Sequence, residues 1–347
     1  MSVVQKGAKR VKRWRVGLLG LVVSLAAIYF ITSQVNLNQL KDAVIGARYI
    51  YVLPTVVFLL LGLVTRALRW QVLLSGDLPL QRTFSIMNVA YLVNGVLPLR
   101  IGEVARVYLA TRATPPVPAM KTASTIIVER LLDLLGVVLM VVLALVLAGD
   151  AVPDLIRASA LFSGVAAVVG FVVLVILAKR RLWARELLAK GLRRLGKRGD
   201  TPLAARITTW FEHFLDGLQP LTQSRALFAA LGWTAASWGF SAVAGYILMF
   251  TFYTQASWAA TLLYIAAAAF AIAVPAVPGN LGPYEGSIYL AISALGYASP
   301  AGTAVAFAVL VHGLNLAVHA STGVIGFIQE GISLEQLSRG VQEMRQS

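Results

Sequence analysis

Cysteine is absent from the 347 residues, which excludes disulfide frameworks, thiolate metal sites and cysteine nucleophiles. Charge is scarce as well: 13% of residues are Asp, Glu, Lys or Arg, against 58% that are hydrophobic. That ratio leaves too little polar surface to cover a soluble globule of this length. Three histidines leave little material for imidazole chemistry, and the 15 acids are half as numerous as the 30 bases. What the chain has instead is apolar runs such as Val16 to Thr32, with a mean hydropathy of +0.77 overall. Runs of this length cross a hydrocarbon core of about 30 Å as helices, which satisfy their own backbone groups. The expected fold class is an all-α polytopic membrane protein.

The net charge of +15 is a membrane signal rather than a nucleic-acid one, because of where it sits. Six bases lie in residues 1–15 and ten in 179–206. Basic clusters beside apolar runs mark cytoplasmic loops and attract anionic headgroups. No nucleic-acid partner is expected. Both termini are placed in the cytoplasm, and the chain is placed in the plasma (inner) membrane.

Read in order, a basic N-terminus (1–15) is followed by a single transmembrane domain (16–328) and a short polar tail (329–347). The alternative of a cleaved signal peptide lacks a small-x-small site after its apolar run. Six full spans are expected, near 16–32, 50–65, 122–148, 155–178, 226–250 and 301–328. Residues 179–225 form a basic, amphipathic segment in the inner interface. Arg66, Arg69 and Trp70 end the second span and are placed at that interface, where the two arginines are either snorkelling side chains or ligands of a lipid phosphate. The run GLRRLGKR at Gly191 to Arg198 matches a phosphate-binding loop until the required Ser or Thr. No strand precedes it, so no nucleotide site is expected.

Two stretches interrupt the lipid-like pattern, NGVLPLRIGEVAR at Asn94 to Arg106 and AVPAVPGNLGPYEG at Ala273 to Gly286. Pro98 precedes Gly102 by four residues, and Pro278 precedes Gly282 by four, with Glu103 and Glu285 just beyond. Gly279 and Pro283 complete the helix-breaking set. The apolar segment before the first stretch is short for a span and is bounded by basic residues at both ends. It is read as a re-entrant hairpin, with a proline-shortened ordinary span as the alternative. The second hairpin would then enter from the opposite face, as in inverted-repeat transporters whose broken elements meet near the midplane.

Glu129, Arg130 and Asp133 lie inside the third span, close enough along one helix to interact. Ionisable residues there mark a pathway or a site, and the competing reading is a structural clamp between helices. His312, Asn315 and His319 can share a face of the last span. A third strong ligand is missing, so a hydrogen-bonded polar stripe is expected rather than a metal site.

Taken together, RALRWQVLL, NGVLPLRIGEVARVYL, IVERLLDLLG and VPAVPGNLGPYEG resemble the transmembrane flippase-like family found in lysylphosphatidylglycerol synthases and in stand-alone membrane proteins. The resemblance runs from about residue 16 to 328. It implies a lipid-translocating domain whose cavity residues would be Asn94, Pro98, Arg100, Gly102, Glu103, Arg106, Glu129, Arg130, Asp133, Pro278, Gly279, Asn280, Gly282 and Glu285. The synthases add a soluble aminoacyl-transfer domain that this sequence lacks, so lipid aminoacylation is not implied.

The leading expectation is therefore translocation of a polar or anionic phospholipid, or a lipid-linked substrate, through a midplane polar cavity. Arg100, Arg106 and Arg130, with Asn94 and Asn280, would hold the headgroup and its phosphate. Glu103, Glu129, Asp133 and Glu285 would hold a cationic or hydroxylated headgroup or take up a proton. No catalytic residue, metal or cofactor is assigned. The partners expected are the bilayer and its phospholipid, a separately encoded lipid-modifying enzyme, and further copies of the chain. Two alternatives stay open: a membrane-embedded transferase acting on a lipid phosphate, and a non-catalytic structural or regulatory partner.

Overall fold

Apolar helices dominate because backbone polar groups in a lipid-like chain have no other partners. The computed structural model describes residues 22–30, 33, 36–96, 101–149, 154–194, 204, 207–209, 211–212, 215, 218–272 and 278–344. A helical segment over 22–30 precedes α1 (Leu37–Ile45), α2 (Val52–Leu73), α3 (Leu80–Val96), α4 (Ile101–Thr111), α5 (Ala119–Ala148) and α6 (Asp154–Lys179). Then follow α7 (Arg181–Arg194), α8 (Ser224–Met249), α9 (Trp258–Ala271), α10 (Pro283–Ser293), α11 (Ala301–Glu330) and α12 (Leu334–Met344). No strand occurs among the described residues.

Four helices are long and apolar enough to cross a membrane: Tyr49–Leu73, Ala119–Ala148, Ser224–Met249 and Ala301–Glu330. Shorter apolar helices cover Gly164–Lys179 and Trp258–Ala271. Their outer faces carry exposed Leu53, Leu143, Leu147, Phe162 and Val165, an apolar surface suited to lipid. The protein is an all-α polytopic membrane protein. Of the expected first span, 16–32, residues 22–30 are described and are helical.

Packing is reciprocal between two halves. In each half a long helix is followed by a broken pair and a second long helix: α2, α3–α4, α5 in one, and α8, α9–α10, α11 in the other. The leading helices α2 and α8 pack on each other. The first limb of each broken pair then packs on the final helix of the opposite half, α3 on α11 and α9 on α5. Small residues make both crossings close. A Cβ on Gly326 would lie 2.7 Å from the Ser85 carbonyl oxygen, and one on Gly323 would lie 2.9 Å from that of Asn88. On the other side, the alanines of α9, including the buried Ala266 and the partly buried Ala269, bring it against Val137, Met140 and Ala144 of α5.

The chain after α11 is more than a polar tail. Gly331, in the left-handed conformation at φ 62°, ends that helix, and α12 folds back with Leu337 and Val341 buried against the Ala105, Leu109 and Val117 cluster. Gly340 lies so close to the Tyr108 ring that a Cβ there would sit 2.1 Å from it. Arg82 and Glu330 pair nearby at 3.4 Å.

Candidate functional site

The limbs of both broken pairs are short. At 1.5 Å per residue, α3 extends about 26 Å, α9 about 21 Å, and α4 and α10 about 17 Å each. Their tips face each other, because the C-terminal end of α3 packs on the turn Pro278–Asn280. A Cβ on Gly279 would lie 3.8 Å from the Gly95 carbonyl oxygen.

At the first tip, the Gly102 N–H donates to Asn94 Oδ1 at 2.8 Å, and a Cβ on Gly102 would stand 2.0 Å from the Ala90 carbonyl oxygen. Asn94 thus closes the junction of α3 and α4, and only glycine fits at 102. Pro98 and Arg100 lie outside the described residues.

At the second tip, Gly279 (φ 76°), Asn280 (φ 57°) and Gly282 (φ 94°) all have positive φ, which turns the chain within five residues. Asn280 Nδ2 reaches toward the Ala271 carbonyl at 3.5 Å. Pro283 opens α10, where a missing N–H costs nothing. Glu285 then folds back, accepting the Gly282 N–H at 2.8 Å through Oε2 and the His312 Nδ1–H at 2.6 Å through Oε1. Tyr284 stacks on the His312 ring at 4.3 Å.

Behind the first tip lies a buried ionic network. Arg69 and Trp70, expected at the interface, are completely buried, because the arginine finds its counter-charges inside the bundle. Arg69 is 2.7 Å from Asp133 and 3.3 Å from Glu129, and it donates to Thr234 at 3.2 Å. Glu129 also pairs with Arg106 at 2.6 Å. The Arg106 guanidinium lies 3.6 Å over the Trp70 ring, whose indole N–H donates to Thr125 at 3.0 Å. The network ties α2, α4, α5 and α8 together, and its two arginines are matched by two carboxylates.

Glu103 and Arg130 are arranged differently. They approach only to 3.6 Å, and Arg130 stands 3.7 Å from Asp133. Their side chains are 32% and 42% exposed, whereas Arg106 and Glu129 are 2% and 0% exposed. Glu103 and Arg130 are therefore more open to a guest than the members of the buried network.

The histidine stripe divides. His312 serves Glu285, His319 packs its ring 5.2 Å from that of Tyr91, and Asn315 bonds back to the Val311 carbonyl. Among the described residues no group of three metal-ligating side chains occurs. Thr125, Thr234 and Trp238, which contact Trp70, Arg69 and Arg66 of α2 respectively, were not visible as site residues in the sequence. Their partners lie 55 residues or more away along the chain, and no local spacing reports such pairs.

Both broken pairs, the reciprocal packing and the charged third span fall inside one stretch that a known family describes. A family model for the lysylphosphatidylglycerol synthase TM region matches residues 17–323. The chain belongs to the lysylphosphatidylglycerol synthase transmembrane family. No curated protein matches the chain. Membership in the lysylphosphatidylglycerol synthase transmembrane family points to a lipid-related role in the bilayer, and it spans both tips, the ionic network and most of α11.

Proposed function

We propose that the protein carries the headgroup of a polar phospholipid, or of a lipid-linked substrate, between leaflets while the acyl chains stay in the bilayer. The observation that supports this most is the meeting of the two tips, Gly279 against the Gly95 carbonyl, at the end of limbs too short to span alone. On this reading the pairs α3–α4 and α9–α10 are re-entrant hairpins that enter from opposite faces, and their reciprocal packing is the internal symmetry of an alternating carrier. The termini lie in the cytoplasm and the membrane is the plasma membrane, following the basic segments at 1–15 and 179–206.

Within the site, Glu103 and Arg130 meet the headgroup, and Glu285 with His312 holds the second tip. Arg69, Arg106, Glu129 and Asp133 hold the helices that frame the path. That buried network is also what favours a second reading for its own members, a structural clamp without a transport role. We read the protein as a carrier and not as a transferase.

Reconstituted vesicles with a headgroup-labelled anionic phospholipid test the proposal by leaflet exchange. Wild type should exchange the label, and Glu103→Gln and Glu285→Gln should lose exchange while eluting as folded protein. Exchange unchanged in both variants would remove the proposal. Product formation from a lipid phosphate in detergent, where no leaflets exist, would instead establish the transferase.

A further inference from the structure

Arg66 is the cation the site does not account for. It lies on α2 one turn before Arg69, about 10 Å from the Leu73 end of the helix at 1.5 Å per residue. Among the described residues it forms no ion pair and no hydrogen bond. Its one direct polar contact is the face of the Trp238 ring, 5.5 Å from the guanidinium carbon. An arginine this deep in a span faces a large desolvation cost unless something neutralises it.

The nearby charges do not do so. Arg69 and Arg106 are matched by Glu129 and Asp133, and Arg130 is matched by Glu103. Arg66 feels Asp133 electrostatically, but that carboxylate is already bonded to Arg69 at 2.7 Å. Among the described arginines of this region, Arg66 is therefore the one with no carboxylate of its own.

Its position is equally specific. Arg66 also lies within electrostatic range of Tyr284, at the second tip, and of His319, which packs on Tyr91 of α3. It thus stands where α2 of one half meets Trp238 of α8 in the other. Trp238 fixes it there. The indole is wedged against α5 at Gly136, where a Cβ would lie 2.5 Å from the ring.

We propose that Arg66 is an anion-binding residue where the two halves meet and that it takes a singly charged phosphate group. Guanidinium pairs with phosphate oxygens through two parallel N–H donors, and one negative charge matches that of Arg66. A lipid phosphodiester has this chemistry, and so does dihydrogen phosphate. The carrier reading supplies the lipid as the source, but the anion site itself does not depend on transport.

Binding in detergent tests it without leaflets. The delipidated full-length protein is titrated with radiolabelled phosphatidylglycerol, then challenged with diacylglycerol of the same chains or with inorganic phosphate. Wild type should show saturable binding that diacylglycerol does not displace. Arg66→Gln should weaken it at least tenfold, Arg66→Lys should retain most of it, and Gly136→Ala should weaken it by displacing the indole under Arg66. Displacement by inorganic phosphate as effective as by lipid assigns the site to a free phosphate; displacement by lipid alone assigns it to a headgroup. Unchanged affinity in Arg66→Gln, or equal displacement by diacylglycerol, overturns the proposal. Should Arg66→Gln fail to fold, the wild-type competition decides, since binding without phosphate selectivity also overturns it. Arg66-dependent binding without leaflet exchange would leave this site standing and sink the carrier reading.

Discussion

Glu129→Gln separates the buried network from the reachable charges. Glu129 is completely buried and serves two arginines, Arg69 at 3.3 Å and Arg106 at 2.6 Å. Removing its charge leaves Arg69 with Asp133 but leaves Arg106, 2% exposed, with only the Trp70 ring. Breaking a buried pair in this one-sided way costs about 3–5 kcal/mol. At roughly 2 °C per kcal/mol for a chain of this size, thermal unfolding in detergent should fall by about 6–10 °C. Glu103→Gln loses a 3.6 Å pair between half-exposed side chains. It should cost under about 1 kcal/mol and move the transition by no more than about 2 °C. Adding Arg106→Gln to Glu129→Gln should recover part of the loss, because the orphaned cation carries much of the penalty. A Glu129→Gln transition within about 2 °C of wild type, or no recovery in the double variant, would refute the division of the charges into framework and path.

Gly326→Val places two extra methyl groups where a Cβ alone would already meet the Ser85 carbonyl at 2.7 Å. Forcing α11 from α3 should cost at least about 1–3 kcal/mol, read as a lower melting temperature and poor recovery from the membrane. Val341→Asp puts a charge among Ala105, Leu109 and Val117 and should release α12, so that trypsin cuts after the already exposed Arg339 faster than in wild type.

The class of fold was legible because composition constrains it directly: a chain so poor in charge and so long in apolar runs has only helices in lipid open to it. The two tips were legible for a similar reason. Pro and Gly clustered at matched spacing interrupt a helix, and the turn at Gly279 to Gly282 bears the positive φ that glycine permits. Partner choice was not legible. Arg69 and Trp70 have the look of an inner-interface anchor, since Arg beside Trp near a helix end suits headgroups, yet Arg69 reaches a carboxylate 60 residues away. Residues 329–347 read as a polar tail because their five apolar positions, Leu337 and Val341 among them, are scattered among many polar ones. Docking depends on the Tyr108 ring meeting Gly340, a contact between distant parts of the chain.

The absence of cysteine makes the meeting of the tips directly testable, because every thiol introduced is the only one at its site. Gly95→Cys combined with Gly279→Cys places one thiol on each tip, where a Cβ at 279 would lie 3.8 Å from the Gly95 carbonyl. Cysteine at 279 must adopt φ near 76°, at a cost of about 1–2 kcal/mol that a folded chain can bear. A short bismaleimide should join the two residues within one chain, read as a mobility shift that survives protein dilution and is lost when either cysteine is omitted. If the halves move against each other during transport, the joined protein should bind the labelled phospholipid and fail to exchange it. Failure to cross-link in a folded double variant would mean that the tips do not meet. Efficient cross-linking with exchange intact would mean that the lipid crosses without the tips parting, and the alternating carrier would have to give way to a fixed path along the outside of the hairpins.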